Sequence, residues 1–164
     1  MRTISPPSLP GNASPDMLRW TCKPFDQLLP EELYQALRLR SEVFVVEQHC
    51  PYLDEDNRDQ GSHHLLGQVD GFLAAYVRIL PPGLAFNELS IGRVVTSPAV
   101  RRKGFGKPLM QKAIDQAWSL FGRQNIRIGA QYYLLDFYSS LGFRQVGEIY
   151  LEDDIEHVEM LLQG

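Results

Sequence analysis

The chain reads as an α/β (α+β) protein, with a mixed central β-sheet and helices on both of its faces. Three observations predict this. Asp70-Gly71 separates two apolar runs, a strong signal for a two-residue hairpin. A long apolar stripe at helical spacing follows, so hairpins and helical crossovers share one chain. A length of 164 residues suits one domain, and a domain of that size buries roughly 68–70% of the surface of its unfolded chain.

The elements follow in order. Residues 1–17, with four prolines, three serines, a glycine and an asparagine, predict a disordered tail, and residues 18–164 a single domain. A first strand is expected over 18–24. Pro30 then opens a helix at a favoured early position, with Glu31 and Glu32 in its first turn. Leu33, Leu37 and Phe44 recur at helical spacing and carry this helix to about residue 48, where Pro51 forbids further continuation. The acidic stretch up to Gly61 reads as a loop. Strands are expected at 64–69 and 72–80, ended by Pro81-Pro82-Gly83, and again at 89–96.

Leu109, Met110, Ala113, Ile114, Ala117, Leu120 and Phe121 form the stripe of a second helix, expected over 104–122. Pro108 is tolerated there because it falls in the first turn. A short strand at 126–130 follows, then a short helix at 134–141 ended by Gly142. Strands at 144–150 and 155–162 turn at Asp153-Asp154.

Composition narrows the function. The formal net charge of −4 speaks against a nucleic-acid partner. No apolar run reaches the roughly 18 residues of a membrane span, and the first residues lack a secretory pattern, so no membrane partner is expected. Cys22 and Cys50 share no motif and fit a reduced, cytoplasmic protein. His49-Cys50 and His63-His64 lack metal-ligand spacing, so no metal is expected. Asp54, Glu55, Asp56 and Asp59 form an acidic cluster, read either as a solvated face or as an attractor of a cationic substrate.

The segment from Val94 to Gly106 passes from a strand through a loop into a helix start. A helix N-terminus offers unpaired N–H groups and a partial positive charge. Gly104 and Gly106 permit close approach of a ligand to the backbone, and Arg101, Arg102, Lys103 and Lys107 stand beside them. The combination suits a pyrophosphate. A dinucleotide fingerprint would need glycine at Leu109, and a P-loop would need serine or threonine at Pro108.

Arg101-x-x-Gly104-x-Gly106 resembles the acetyl-CoA signature of the GCN5-related N-acetyltransferase (GNAT) family, usually written Q/R-x-x-G-x-G/A. The resemblance implies that backbone amides across Arg101, Arg102, Lys103, Gly104, Phe105, Gly106 and Lys107 hold the CoA pyrophosphate. It implies that Val94, Val95 and Thr96 pair with the pantetheine arm. Tyr138 to Phe143 resembles the family's later Tyr-x-x-x-Gly-Phe motif, in which the tyrosine commonly protonates the departing thiolate. Gln131 stands seven residues before Tyr138, where many members carry an asparagine that contacts pantetheine. The segment from Arg38 to Gln48, with Cys50-Pro51-Tyr52, Ile91-Gly92-Arg93-Val94, Gly129-Ala130-Gln131 and Ile155-x-His157, resembles the ElaA-like subfamily. This implies a GNAT fold with acetyl-CoA as co-substrate.

Direct attack requires a neutral amine, hence a proton acceptor. Glu47, Glu88 and His157 are the candidates, each with a plainer reading beside it: a loop hydrogen bond, a strand-edge charge and a structural histidine. The expected function is transfer of an acetyl group to an amine in a ternary complex. An acyl-CoA-binding sensor and an acyl-homoserine-lactone synthase are the alternatives. A homodimer is left open.

Overall fold

The computed structural model describes residues 7–164. Asp70 and Gly71 both take positive φ and turn β2 (His63–Val69) into β3 (Phe72–Leu80), as the hairpin signal requires. These strands lie within one seven-stranded sheet ordered β1-β2-β3-β4-β5-β7-β6. The others are β1 (Arg19–Pro24), β4 (Leu89–Thr96), β5 (Ile126–Gln131), β6 (Arg144–Glu152) and β7 (Ile155–Leu162). Every neighbouring pair is antiparallel except β4 and β5, which are parallel.

Alternation along β3 distributes the core. Ala75, Val77 and Ile79 face one way and join Leu65, Leu89, Ile91, Ile126, Ile128, Val158 and Met160. Helix α2 (Gly106–Phe121) covers this face with Leu109, Met110, Ala113, Ile114 and Ala117. Tyr76 faces the other way, with Leu66 and Val95, under Ala36 and Leu39 of α1 (Pro30–Arg40) and Val43 beyond it. Each fully buried aliphatic side chain contributes about 1.5–3 kcal/mol. Glu32 accepts from the Leu29 N–H at 2.8 Å and so closes the open start of α1.

Three local features differ from the sequence expectation. The first helix is α-helical only to Arg40, and Ser41–Glu47 continues it as a wider π-wound segment. Gln48 and Cys50 donate their N–H groups five residues back, to Val43 and Val45. Residues 7–17 are not a free tail. Ala13 is buried, and Leu9, Met17 and Leu18 pack with it on Val69, Val100 and Phe105. Proline-rich composition hides such docking because it carries no period. The first six residues of that expected tail lie outside the described ones. The short helix is also briefer than expected, α3 spanning only Leu135–Ser139.

Two departures from regular pairing in β4 shape the sheet around its centre. Tyr76 opposes Val95 while Arg78 opposes Gly92, so β4 carries one extra residue there, with Arg93 at φ 53°. This bulge bends the strand. On its other side β4 pairs with β5 only at Leu89 with Ile126 and Ser90 with Arg127. Beyond those two pairs the strands part and leave a cleft.

The acidic loop is tied to the sheet by buried ion pairs. Arg40, only 1% exposed, donates to Asp54 at 2.7 Å and to Asp59 at 2.9 Å. Arg78 holds Asp56 through two bonds of 2.7 and 2.8 Å, and Asp59 at 2.8 Å. Arg93 Nε lies 2.9 Å from Asp54 Oδ1, and its Nη2 donates to the Asp54 carbonyl at 2.9 Å. Burial alone would raise the carboxyl pKa values of Asp56 and Asp59. The bonds from Arg78, and from Arg40 to Asp59, outweigh burial and hold both below the usual carboxylate range. His64 braces the same loop. Its Nε2–H donates to the Asp59 carbonyl at 2.9 Å, so its Nδ1 accepts from the Tyr76 hydroxyl at 2.7 Å. Burial pushes the His64 pKa below its ordinary value, with the nearby Arg40 and Arg78 adding to that.

Breaking this network is expected to be costly. Arg40→Met leaves buried carboxylates short of a partner and should destabilise by about 3–5 kcal/mol, read from urea unfolding. A shift of that size with wild-type cooperativity is the expected result.

Acid should also weaken the fold in two stages. The folded-state pKa of His64 is depressed, so its contribution is complete above the unfolded value of about 6.5 and is lost as pH falls below it. Asp56 and Asp59, also depressed, lose theirs only as pH falls below about 3.9. Unfolding midpoints measured from pH 8 to 3 should show both stages, and His64→Gln should remove the upper one.

Candidate active site

The parting of β4 from β5 opens a cleft of about 720 Å³. β4 forms one wall from Ile91 to Thr96, and β5 forms the other from Ile128 to Gln131. The π-wound segment contributes Val43, Phe44 and Glu47, Gln48 follows directly after it, and α3 contributes Phe137 and Tyr138. Leu53 and Tyr133, both largely exposed, add apolar surface at its edge. β4 beyond Ser90 has no β5 partner, so its main chain is available there to a ligand.

At one end lies the glycine-containing loop. Ser97 starts it by accepting the Ala99 N–H at 3.2 Å. Arg102 at φ 62° and Gly104 at φ 79° adopt left-handed backbone, and Phe105, 2% exposed, anchors the loop in the core. At Gly104 an added Cβ would meet nothing within 4 Å, so the positive φ is what favours glycine there. Helix α2 begins at Gly106, leaving first-turn N–H groups unpaired by the helix.

The structure therefore brings together Val94, Val95, Thr96, Arg101, Gly106 and Gln131 around the cleft. Arg102, Lys103 and Gly104 are exposed on the loop beside it. Phe105 acts through packing rather than contact, and Lys107 lines a separate surface hollow with Gln111 and Asp115.

The proton-transfer candidates divide. Tyr138 lines the cleft and is 6% exposed, set edge-on to Phe137 and Phe143 with centroids 5.1 and 6.0 Å away. Burial pushes its pKa well above the ordinary phenol value, so it remains protonated. His157 also lines the cleft. Its Nδ1–H donates to the Ile155 carbonyl at 2.7 Å, leaving Nε2 as acceptor in the neutral ring. Its ring stacks on Tyr150. Glu47 lines the cleft and pairs with Arg101 at 2.5 Å. Glu88 is the exception. It sits at the paired end of β4, bound twice by Arg127 at 3.0 and 3.1 Å, and does not line the cleft. The hydrogen bond from Arg127 lowers its pKa. Geometry thus removes Glu88 as a base and gives it the strand-edge role.

The acidic loop needs a correction too. Asp54, Asp56 and Asp59 face Arg40, Arg78 and Arg93, so their charge is spent inside the protein. Neither a solvated face nor a free attractor of cations describes them. Arg58 and Arg93 line the cleft and were not among the expected site residues. The bulge that aims Arg93 is a pairing property with no signature in the sequence. Among the described residues no group of three or more His, Cys, Asp or Glu is arranged to hold a metal, and no helix is long and apolar enough to cross a membrane.

Comparison with known proteins sets this geometry among acyltransferases. Residues 28–163 match the family model of the acetyltransferase (GNAT) domain. Protein ElaA of Escherichia coli is 39% identical over 146 residues, covering 88% of this chain and 95% of ElaA. Its crystal structure superposes with a TM-score of 0.84, covering 90% of this chain and all of the other. An acyl-CoA N-acyltransferase from Pseudomonas aeruginosa is 45% identical, with a TM-score of 0.84 over 88% of this chain and 99% of that one. The chain belongs to the GNAT acetyltransferase family, in its ElaA-like branch. A CoA-dependent acyl-homoserine lactone synthase shares the fold at 18% identity and a TM-score of 0.73.

Glu88→Gln is expected to leave turnover within about twofold of wild type, since general acid–base effects require hydrogen-bond reach of the reacting group. Initial rates at saturating acyl-CoA check this, and a loss of about 10²-fold would return Glu88 to the site.

Proposed function

We propose that this protein is an acetyl-CoA-dependent N-acetyltransferase that acts on an amine by direct attack in a ternary complex. The observation that carries the reading is the cleft between the splayed strands, bordered by Arg101 and the α2 N-terminus and floored by a buried Tyr138. Pyrophosphate oxygens suit the exposed cations and unpaired amides at the loop. The pantetheine arm suits the free main-chain edge of Val94, Val95 and Thr96, and Gln131 offers it an amide from the opposite strand. The thioester then lies toward Tyr138.

The chemistry follows from the protonation states. The amine nitrogen attacks the thioester carbonyl carbon and forms a tetrahedral intermediate. Its collapse breaks the carbon–sulfur bond, and the thiolate takes the Tyr138 hydroxyl proton. The raised pKa keeps Tyr138 protonated near neutral pH, so it is present as a donor when the basic thiolate forms. The amine proton leaves through the Nε2 lone pair of His157 or through water. Among the described residues the cleft holds no cysteine and histidine paired as nucleophile and base, which supports direct transfer over an acyl-enzyme.

Tyr138→Phe tests the reading. The substitution keeps the ring against Phe137 and Phe143 and deletes the hydroxyl with its proton. Turnover should fall by about 10²-fold or more, while acetyl-CoA affinity and melting temperature stay close to wild type. A normal rate in the folded variant would sink the assignment. A screen of polyamines, amino acids, aminoglycosides and lysine peptides identifies the acceptor class.

A further inference from the structure

Glu47, the last residue of the π-wound segment, and Gln48 directly after it reach across the cleft, and both grip residues of the cofactor side. Glu47 pairs with Arg101 of the pyrophosphate loop at 2.5 Å. Gln48 and Gln131 exchange two amide hydrogen bonds, each of 3.1 Å. Arg101 follows β4 and Gln131 ends β5, on either side of the splay, so the segment bridges both walls. The π-winding places these side chains, since a wider turn shifts which positions of a helix share a face. The segment's far end is anchored, because Arg40 immediately before it is locked by Asp54 and Asp59.

We propose that Glu47 and Gln48 form a latch that the cofactor displaces. The inference rests on the acyl-CoA reading above and assigns its own role to each contact. Both side chains of the ion pair are about two-fifths exposed, at 41% and 40%. An ion pair so exposed is weak and screened by salt, whereas a pyrophosphate presents more charge and more acceptor oxygens to the same guanidinium. Arg101 therefore exchanges one anion for a better one. The Gln48–Gln131 bonds are neutral amide pairs, so a pantetheine amide can take one of them on Gln131 while water takes the groups that Gln48 releases. Exchange leaves the Glu47 carboxylate unpaired at the cleft wall, where, with Glu152 and Asp153 on the same cleft, it is an anion that can meet an acceptor ammonium. Asp56, which also lines the cleft, cannot take that part because Arg78 holds both of its oxygens. Cofactor and acceptor subsites are thus coupled through one side chain.

The test is calorimetric titration of CoA into wild type, Glu47→Gln, Arg101→Gln and the double variant at low salt. Removing the competing carboxylate should tighten CoA binding about two- to fivefold in Glu47→Gln, the range an exposed ion pair supports. The same change made in the Arg101→Gln background should have no effect, because the partner that Glu47 occupied is gone. Raised salt should shrink the gain in the single variant. Unchanged affinity in Glu47→Gln, or a gain that persists without Arg101, overturns the latch while leaving the cofactor reading intact. Wild-type protein that fails to bind CoA overturns the cofactor reading, and the latch with it. A crystal structure with CoA in which Glu47 still holds Arg101 also overturns it.

Discussion

The parallel contact between β4 and β5 lasts for two residue pairs and then ends, and the candidate site lies in that gap. Two strands that stayed paired would satisfy each other's main chain and leave nothing for a ligand. The bulge at Arg93 bends β4 away from regular register with β3. β7 instead pairs along the whole of β5, so β5 is held from its far side while its near edge stays open. The gap is stable because the cost of unpaired edges is confined to a few residues, while the cores on both faces of the sheet are complete around it.

A second constraint keeps the gap in shape. The loop after the π-wound segment contains three aspartates that would be expensive to bury alone. Three arginines from α1, β3 and β4 meet them. The same guanidinium of Arg93 that pins Asp54 also lines the cleft, so the site and the loop's anchorage share a residue. This ties the position of the π-wound segment, and hence of Glu47 and Gln48, to the sheet. His64 and Tyr76 extend the brace into the core as neutral groups.

The parts legible from the sequence were those governed by local period or local backbone need. The hairpin at Asp70-Gly71, the α2 stripe from Leu109 onward and the glycines of the loop before α2 each carry their signal within a few residues. The family resemblance rested on short runs too, chiefly Arg101 to Gly106, Tyr138 to Phe143 and Arg38 to Gln48. Glu88, by contrast, looked like a base only because it precedes β4, and its engagement by Arg127 from β5 depends on which strands neighbour each other. Likewise the acidic loop looked solvated or substrate-facing because its partners stand 14 to 39 residues away in the chain.

By itself the sequence determined most of the secondary elements, the glycine-containing loop at the start of α2 and a phenol at the end of a short helix, because propensity, periodicity and glycine backbone freedom act locally. Only the tertiary structure decided where β4 leaves β5, which carboxylates are neutralised and which remain at the cleft, and that residues 7–17 lie against the sheet. Those outcomes depend on pairings between distant segments. The side chain that satisfies a buried charge is chosen by proximity in the fold, and proximity across the sheet has no period to read along the chain.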